Sequence, residues 1–145
     1  MNAKLIYPEL SYKLCGLCFY THNKLGRYRN EKQYGDALEK LLKENKINYV
    51  RESCLSPSFA GEKERRNIAD FIIEDKIIIE LKSKSAILKE DYFQMMRYLV
   101  CSEKKLGLIF NFRQNFNILP LTSANIPHSC FCLMALLNSL DHLSL

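Results

Sequence analysis

Asp70, Glu80 and Lys82 have the residue types and the spacing that could do chemistry. They lie in residues 68–84, where two apolar runs flank the polar residues 74–76, a pattern that predicts a β-hairpin. Glu80 and Lys82 are two positions apart on the second strand, so their side chains project from one face of the sheet. A three-residue turn would place Asp70 opposite Glu80, with Cβ atoms about 5 Å apart. A two-residue turn would shift Asp70 by one position and separate the two carboxylates.

Such a cluster could hold a metal ion. Two carboxylates this close repel each other, and a cation bound between them relieves the repulsion. Oxygen ligands favour a hard ion, so the expected cofactor is Mg²⁺ or Mn²⁺. Lys82 could then polarise a water molecule or stabilise an anionic transition state. The alternative is that Glu80 and Lys82 form an ordinary ion pair on a solvated sheet face.

The composition is typical of a soluble, single-domain protein. The 145 residues are enough to bury one core, and 48% of them are hydrophobic and 26% charged. The net charge of +5 favours an anionic partner, although a basic surface can also be merely solvated. No run approaches the roughly 20 apolar residues of a membrane-spanning helix, and the N-terminal residues lack a signal-peptide pattern. We therefore expect a cytoplasmic protein without a membrane partner.

Six cysteines stand at positions 15, 18, 54, 101, 130 and 132. Several lie in apolar runs, which suits reduced, buried thiols better than a disulfide framework. A second interpretation is a four-thiolate metal site in which Cys15 and Cys18 join Cys130 and Cys132. The spacing of the second pair is unusual for such a site.

Three helices are predicted from hydrophobic periodicity. The first covers about residues 9–22, and Gly26 is expected to terminate it or its connecting loop. The second covers about residues 30–44, with Asn30 as its N-cap. The third covers about residues 89–102. Its packing side is predicted to carry Tyr92, Met95, Met96 and Leu99, and a more polar side Gln94, Arg97, Tyr98 and Cys101.

Glu31 has the helical spacing that places it on the same stripe as Tyr34 and Leu38. We therefore predict that it faces inward, where a carboxylate needs a cationic or hydrogen-bonding partner. Alternatively, Glu31 is a first-turn residue that the helix N-terminus stabilises. His22, near the end of the first helix, could position a substrate or could simply cap or pack the helix end.

The strands are predicted to begin as an antiparallel meander. A strand over about residues 47–55 turns near residues 60–62 and returns into the strand of Asp70, which the hairpin joins to that of Glu80. The apolar run at residues 106–112 suits a strand covered on both faces, and residues 116–119 suit a short further strand. After Pro120 the chain has few charges, and we predict that residues 121–145 form an apolar extension covering the core or a dimer partner.

Four basic residues near this cluster are candidates for contacting nucleic-acid phosphates: Arg65, Arg66, Lys84 and Arg97. Arg65 and Arg66 lie a few positions before Asp70. They could equally be edge-strand charges that discourage aggregation.

Five sequence pieces in this order resemble the PD-(D/E)XK nuclease superfamily, and within it the small bacterial GxxExxY proteins. They are His22-Asn23-Lys24-Leu25-Gly26, Glu31-Lys32-Gln33-Tyr34, Ala69-Asp70-Phe71, Ile79-Glu80-Leu81-Lys82, and Gln94 with Tyr98. The resemblance covers roughly residues 5–119. Three features depart from the pattern: Ala69 replaces the proline of the superfamily name, Tyr28 replaces a family glycine, and the extension after Pro120 matches nothing recognisable.

The resemblance implies an α/β fold with a restriction-endonuclease-like core, a mixed central sheet begun by an antiparallel meander and flanked by helices. It implies that Asp70 and Glu80 bind Mg²⁺ or Mn²⁺ and that Lys82 assists the attacking water. Glu31 would be a further acidic member of the metal site and Gln94 a polar support. The implied function is metal-dependent hydrolysis of phosphodiester bonds, with DNA as the partner rather than RNA. The alternative is an inactive module of the same fold that binds nucleic acid or a protein.

Overall fold

The computed structural model describes residues 6–113 and 116–123. In chain order, the elements are α1 (Pro8–Leu25), α2 (Glu31–Glu44), β1 (Tyr49–Cys54), β2 (Ile68–Ile73), β3 (Ile77–Lys82), α3 (Lys89–Ser102), β4 (Leu106–Asn111) and β5 (Asn117–Thr122). The predicted helices and strands are therefore all present. Because Pro8 occupies the first turn and Gly26 ends the helix with φ 74°, α1 is longer than its apolar spacing predicts.

The five strands form one sheet in the order β1-β2-β3-β4-β5. Strands β1, β2 and β3 pair antiparallel, β4 joins β3 in parallel, and β5 pairs antiparallel with β4. The parallel step requires a crossover, which α3 provides. The predicted α/β fold, with a mixed sheet that begins as an antiparallel meander and is flanked by helices, is confirmed.

The core lies on both faces of β3 and β4. All six residues of β4 are buried, as predicted for a strand covered on both sides. Ile77 and Ile79 pack with α1 and α2, whereas Ile78 packs with α3 on the other face. At Gly107 a Cβ atom would lie 2.3 Å from the Sδ atom of Met95, so glycine allows α3 to approach β4 closely.

The second helix begins as its sequence predicts. Asn30 accepts a hydrogen bond from the Gln33 backbone N–H at 2.9 Å, and the Gln33 side chain accepts one from the Asn30 backbone N–H at 2.9 Å. This reciprocal capping box satisfies two helix-end donors. It also fixes the chain that leads from Gly26 into α2.

Some predicted details are wrong. The spacing predicts Tyr98 on the polar side of α3, but Tyr98 is 3% exposed and packs beside Met95 and Leu99. The first strand begins at Tyr49 rather than at residue 47. Arg65 and Arg66 lie in the turn before β2, so they are not edge-strand residues.

The last strand continues through Pro120 and ends at Thr122. Pro120 pairs with Leu108 on this edge strand, a position where proline is tolerated. Most of the predicted apolar extension, from residue 124 to residue 145, lies outside the described residues, together with Cys130, Cys132 and the predicted dimer contact. Among residues 6–113 and 116–123, no helix has the length and apolarity needed to cross a bilayer.

Candidate active site

The register of the β2–β3 hairpin brings the two carboxylates together. The paired residues are Ile73↔Ile77, Ile72↔Ile78 and Phe71↔Ile79, so the next step of the register sets Asp70 opposite Glu80. Residues 74–76 form the turn, with φ angles of 51° at Glu74 and 56° at Asp75. Of the two turn lengths that the sequence left open, the three-residue turn is the one that occurs, and the two-residue turn is excluded.

Backbone groups orient both carboxylates. The Asp70 backbone N–H donates a hydrogen bond to Glu80 Oε1 at 2.9 Å, and the Leu81 backbone N–H donates one to Asp70 Oδ2 at 2.8 Å. Glu80 is only 4% exposed, and Asp70 is half-buried. A solvated sheet face is therefore the wrong interpretation of this pair.

Burial and mutual repulsion make the charged pair costly. Burial, followed by the charge of Asp70, raises the pKa of Glu80 from its ordinary value of 4.5 to about 8. Burial also raises the pKa of Asp70, although the hydrogen bond from the Leu81 N–H and the charge of Lys82 oppose the shift. Buried Tyr98 lies near enough that the charge of Glu80 adds to burial in raising the tyrosine pKa to about 12.

Lys82 lies between these carboxylates and α3. Its Nζ atom donates a hydrogen bond to Gln94 Oε1 at 3.0 Å. The same atom is 3.9 Å from Glu80 Oε2 and 3.7 Å from Asp91 Oδ1. With its side chain only 15% exposed, Lys82 is held in place by groups from β3 and α3. The structure therefore brings together Asp70, Glu80, Lys82 and Gln94.

Asp91 is a member of this cluster that the sequence analysis missed. It is 6% exposed and accepts two hydrogen bonds from Lys84 Nζ, at 3.0 and 2.8 Å, and one from the Leu88 backbone N–H at 2.8 Å. Burial raises the pKa of Asp91, but these hydrogen bonds and the charges of Lys82 and Lys84 outweigh it and lower the pKa. Its helical spacing from Met95 and Tyr98 was the signal that could have found it.

Glu31 lies near the cluster but is not buried as predicted. It is exposed in the first turn of α2, so the prediction that it lies on the buried stripe is wrong. The first residue of a helix projects past the packed stripe, and its carboxylate instead accepts a hydrogen bond from the Ser83 backbone N–H at 3.2 Å. Glu31 and Asp70 line the same cavity of about 150 Å³, together with Arg51 and Leu81.

The donor set suits a hard divalent cation. Asp70 and Glu80 offer carboxylate oxygens, and the raised pKa values of both show how unfavourable two charges are here without a cation. Within the part of the chain that the structure describes, no three His, Cys, Asp or Glu side chains are grouped to hold an ion. A cation would therefore take two carboxylates from the hairpin, and Glu31 is not grouped with them.

A family model of the PD-(D/E)XK nuclease superfamily matches residues 8–119, which include every residue of this cluster. The chain belongs to the PD-(D/E)XK nuclease superfamily. The superfamily is named for two acidic residues and a lysine, and these are the residue types of Asp70, Glu80 and Lys82. No curated protein matches the sequence significantly.

Three solved structures are similar to this chain at low sequence identity, and one of them has a TM-score above 0.5. The crystal structure of SSO0001 has a TM-score of 0.51 and 20% identity, over 79% of this chain and 59% of that one. The chain described here thus spans less than two thirds of the length of the SSO0001 chain. An alkaline exonuclease, LHK-Exo from Laribacter hongkongensis, has a TM-score of 0.41 and 14% identity over 97% of this chain and 83% of its own. Its complex with dAMP has a TM-score of 0.41 and 15% identity, with coverages of 90% and 78%.

The four basic residues predicted to contact phosphates are not equivalent in this superfamily member. Arg65 and Arg66 are exposed in the turn before β2. Arg97 is exposed on α3, and its Nε atom donates a hydrogen bond to Asn67 Oδ1 at 2.9 Å. Lys84 is instead engaged with Asp91 at 2.8 Å, so it is less available to a phosphate.

Cys15 and Cys18 are core side chains. Both are buried in the core beside α1 and α2. Burial raises the pKa of the Cys15 thiol to about 12, and burial followed by the charge of Cys15 also raises the pKa of the Cys18 thiol. His22 packs against the rings of Phe112 and Phe116, at centroid distances of 6.3 and 5.3 Å, which favours a packing role.

Proposed function

We propose that this protein is a divalent-metal-dependent nuclease that hydrolyses phosphodiester bonds in DNA. Membership of the PD-(D/E)XK nuclease superfamily supports the reaction class. The observation that carries the proposal is the pairing of half-buried Asp70 with buried Glu80, with the Lys82 ammonium 3.9 Å from Glu80. Burying two like charges is unfavourable unless a cation offsets them, and a catalytic site supplies a reason for keeping them.

Asp70 and Glu80 would hold the metal ion, as the oxygen chemistry of the pair favours Mg²⁺ or Mn²⁺. When bound, such an ion supplies a water of lowered pKa and neutralises charge that develops on the phosphate. The two backbone hydrogen bonds to the carboxylates keep their oxygens in fixed directions. This preorganisation reduces the rearrangement needed to bind the ion.

Lys82 would position the attacking water and stabilise negative charge on the phosphate. Gln94 accepts a hydrogen bond from its Nζ atom and thereby limits the rotamers of a long, flexible side chain. Asp91, which is also on α3, attracts the same ammonium at 3.7 Å. Glu31 would act at the edge of the site, where its hydrogen bond to Ser83 holds the chain that follows Lys82.

The preference for DNA rests on charge and on the resemblance to the GxxExxY proteins. The net charge of +5 favours a polyanion, and Arg65, Arg66 and Arg97 are exposed. We assign the chain to the GxxExxY group because its motif pieces occur in the expected order and Gln94 lies beside Lys82.

The test is cleavage of single-stranded and duplex DNA by the purified protein with Mg²⁺, with Mn²⁺ and with EDTA. We expect cleavage only with a divalent ion, and a loss of about 100-fold or more in Glu80→Gln and Lys82→Ala. Lys89→Ala, which removes an exposed lysine from the first turn of α3, is the matched control and should cleave normally.

Glu80→Gln or Lys82→Ala protein that cleaves DNA as fast as the parent would refute the assignment. Calorimetry distinguishes the nuclease from the alternative of an inactive binding module. That alternative predicts no heat of Mg²⁺ binding together with salt-sensitive DNA binding, whereas the nuclease requires ion binding that Glu80→Gln abolishes.

A further inference from the structure

We propose that residues 26–30, the loop between α1 and α2, bind an unpaired stretch of the DNA strand beside the cleavage site. In this assignment the Tyr28 ring stacks on a base, and Arg27 and Arg29 contact phosphates. The inference rests on the proposed nuclease function and specifies its substrate as DNA with unpaired nucleotides. Tyr28 is one of the positions at which the chain departs from the GxxExxY pattern, where a glycine is expected.

The loop combines an exposed aromatic ring with concentrated positive charge. Tyr28 is 83% exposed, the largest exposed fraction among the described large hydrophobic residues that are exposed. Arg27 and Arg29 on either side of it are also exposed. Residues 24–32 contain one acidic residue, Glu31, and four basic ones: Lys24, Arg27, Arg29 and Lys32. Aromatic rings interleaved with basic side chains are the pattern that binds single-stranded nucleic acid.

Arg27 leaves one face of the Tyr28 ring available. Its guanidinium carbon lies over the ring at 5.4 Å from the centroid, and its NH2 group donates a hydrogen bond to the Tyr28 hydroxyl at 3.3 Å. A planar cation over one face orients the ring and places a positive charge beside it. The opposite face can then stack on a base while Arg27 pairs with the neighbouring phosphate.

The loop is held firmly although its side chains are exposed. The Tyr34 hydroxyl donates a hydrogen bond to the Gly26 carbonyl and accepts one from the Arg29 backbone N–H at 3.3 Å. Tyr34 itself is fully buried and stacks on Phe112, with ring centroids 4.2 Å apart. The Asn30 capping box fixes the other end of the loop. A fixed platform loses little conformational entropy when a base stacks on it.

The same loop is attached directly to the candidate active site. The Ser83 hydroxyl donates a hydrogen bond to the Arg29 carbonyl at 3.0 Å, and the Ser83 N–H donates one to Glu31. Ser83 directly follows Lys82, and Arg29 directly follows Tyr28. The Ser83–Arg29 hydrogen bond therefore connects Tyr28 to Lys82 with one Cα–Cα step of about 3.8 Å at each end. A strand bound at the loop would therefore pass within a few nucleotides of Lys82.

Stacking on Tyr28 requires a base whose face is uncovered. In a duplex each base is already covered on both faces by its neighbours, and reaching one costs unstacking energy. Unpaired nucleotides expose their faces without that cost. The geometry therefore favours single strands, overhangs and junctions over continuous duplex.

The experiment measures fluorescence anisotropy of labelled oligodeoxythymidylate, and of its duplex with oligodeoxyadenylate, in EDTA. We expect Tyr28→Ala to weaken single-strand binding by about 5- to 150-fold, the range for loss of one stacked base, with little change for duplex. Tyr28→Phe keeps the ring and should bind as the parent does. Tyr12→Ala is the matched control, because Tyr12 is a 42% exposed tyrosine on α1 about 20 Å along the helix from the loop.

A second variant tests the phosphate contacts independently of the ring. Arg27→Gln with Arg29→Gln should reduce the slope of log affinity against log salt by about 1.4, from two charges at about 0.7 each on a single strand. The inference is overturned if Tyr28→Ala and the double variant bind oligodeoxythymidylate as the parent does. It is also overturned if Tyr28→Ala weakens single-strand and duplex binding equally, or if Tyr12→Ala weakens binding as much.

Cleavage by the parent protein, assayed separately with Mg²⁺, distinguishes this inference from the function on which it rests. If the protein cleaves DNA but its single-strand binding does not depend on Tyr28, the inference is overturned and the proposed nuclease function stands. Binding that depends on Tyr28 in a protein that cleaves nothing supports the loop as a strand-binding site and overturns the nuclease.

Discussion

The Asp70 backbone N–H donates a 2.9 Å hydrogen bond to the Glu80 carboxylate, which lies across from it on the neighbouring strand. The Leu81 N–H makes the corresponding bond to the Asp70 carboxylate at 2.8 Å. Each carboxylate is thus oriented by the backbone of the opposite strand. The hairpin register and the directions of both acidic groups are therefore set together, before any ion binds.

This pair should make the stability of the metal-free protein depend on pH. The pKa of Glu80 is about 8 in the folded state and 4.5 ordinarily, so between these values the folded chain holds a proton that the unfolded chain has released. The contribution of Glu80 to stability therefore decreases as pH rises through this window and levels off above about 8. Calorimetric scans in EDTA between about pH 5 and 9 measure this loss of stability: the Tm of the parent should fall relative to the Tm of Glu80→Gln as pH rises.

Glu80→Gln is the reference because it removes this titration and keeps a polar side chain of nearly the same size. The Tm of the parent should fall relative to that of Glu80→Gln by several degrees or more across the window, since roughly 1 kcal/mol shifts Tm by a few degrees in a domain of this size. Mg²⁺ should reduce the difference most at high pH, where the carboxylates are free of protons. A constant difference at every pH would show that Glu80 is not protonated in the folded state.

Asp91→Asn should lower nuclease activity without abolishing DNA binding. The change removes a negative charge 3.7 Å from Lys82 and breaks the ion pair that holds Lys84. We expect kcat to fall by about 10-fold or more, as for other groups that orient a catalytic side chain. The KM for DNA should not rise, because Lys84 becomes available to the phosphate backbone. Steady-state cleavage kinetics measure both constants.

Glu90→Gln is the matched control, since Glu90 is an exposed acid in the same first turn of α3. It removes the same charge from the helix N-terminus but does not touch Lys82. Equal losses of kcat in Asp91→Asn and Glu90→Gln would assign the effect to the helix and not to the position of Lys82. Asp91→Asn should also destabilise the fold by about 1–2 kcal/mol, whereas Glu90→Gln should not.

Asn30→Ala should destabilise the protein through the start of α2. The variant loses the side-chain oxygen that accepts the Gln33 N–H, and caps of this kind contribute about 1 kcal/mol. Urea unfolding measures the loss as a lower midpoint at unchanged slope. Asn23→Ala makes the same substitution at an exposed position within α1 and should be neutral or slightly stabilising. A loss of stability in Asn23→Ala equal to that in Asn30→Ala would argue against the capping role.

The short-range features of this protein were predictable because neighbouring residues determine them. Two apolar runs around residues 74–76 predicted the hairpin, and its three-residue turn, one of two lengths left open, gives the register that joins Asp70 to Glu80. Asn30 predicted the start of α2, and the apolar run of β4 predicted a strand buried on both faces. In each case the period of the chain and the chemistry of one turn were sufficient.

The tertiary structure decided how separate elements complete the site. Periodicity places Asp91 with Met95 and Tyr98 on one face of α3, but only the parallel crossover turns that face toward Lys82. The same kind of spacing predicted a buried Glu31, yet the first turn of α2 extends past the sheet and leaves it exposed beside Ser83. A helical pattern identifies which residues share a face, whereas the packing of other elements determines whether that face is covered and by what.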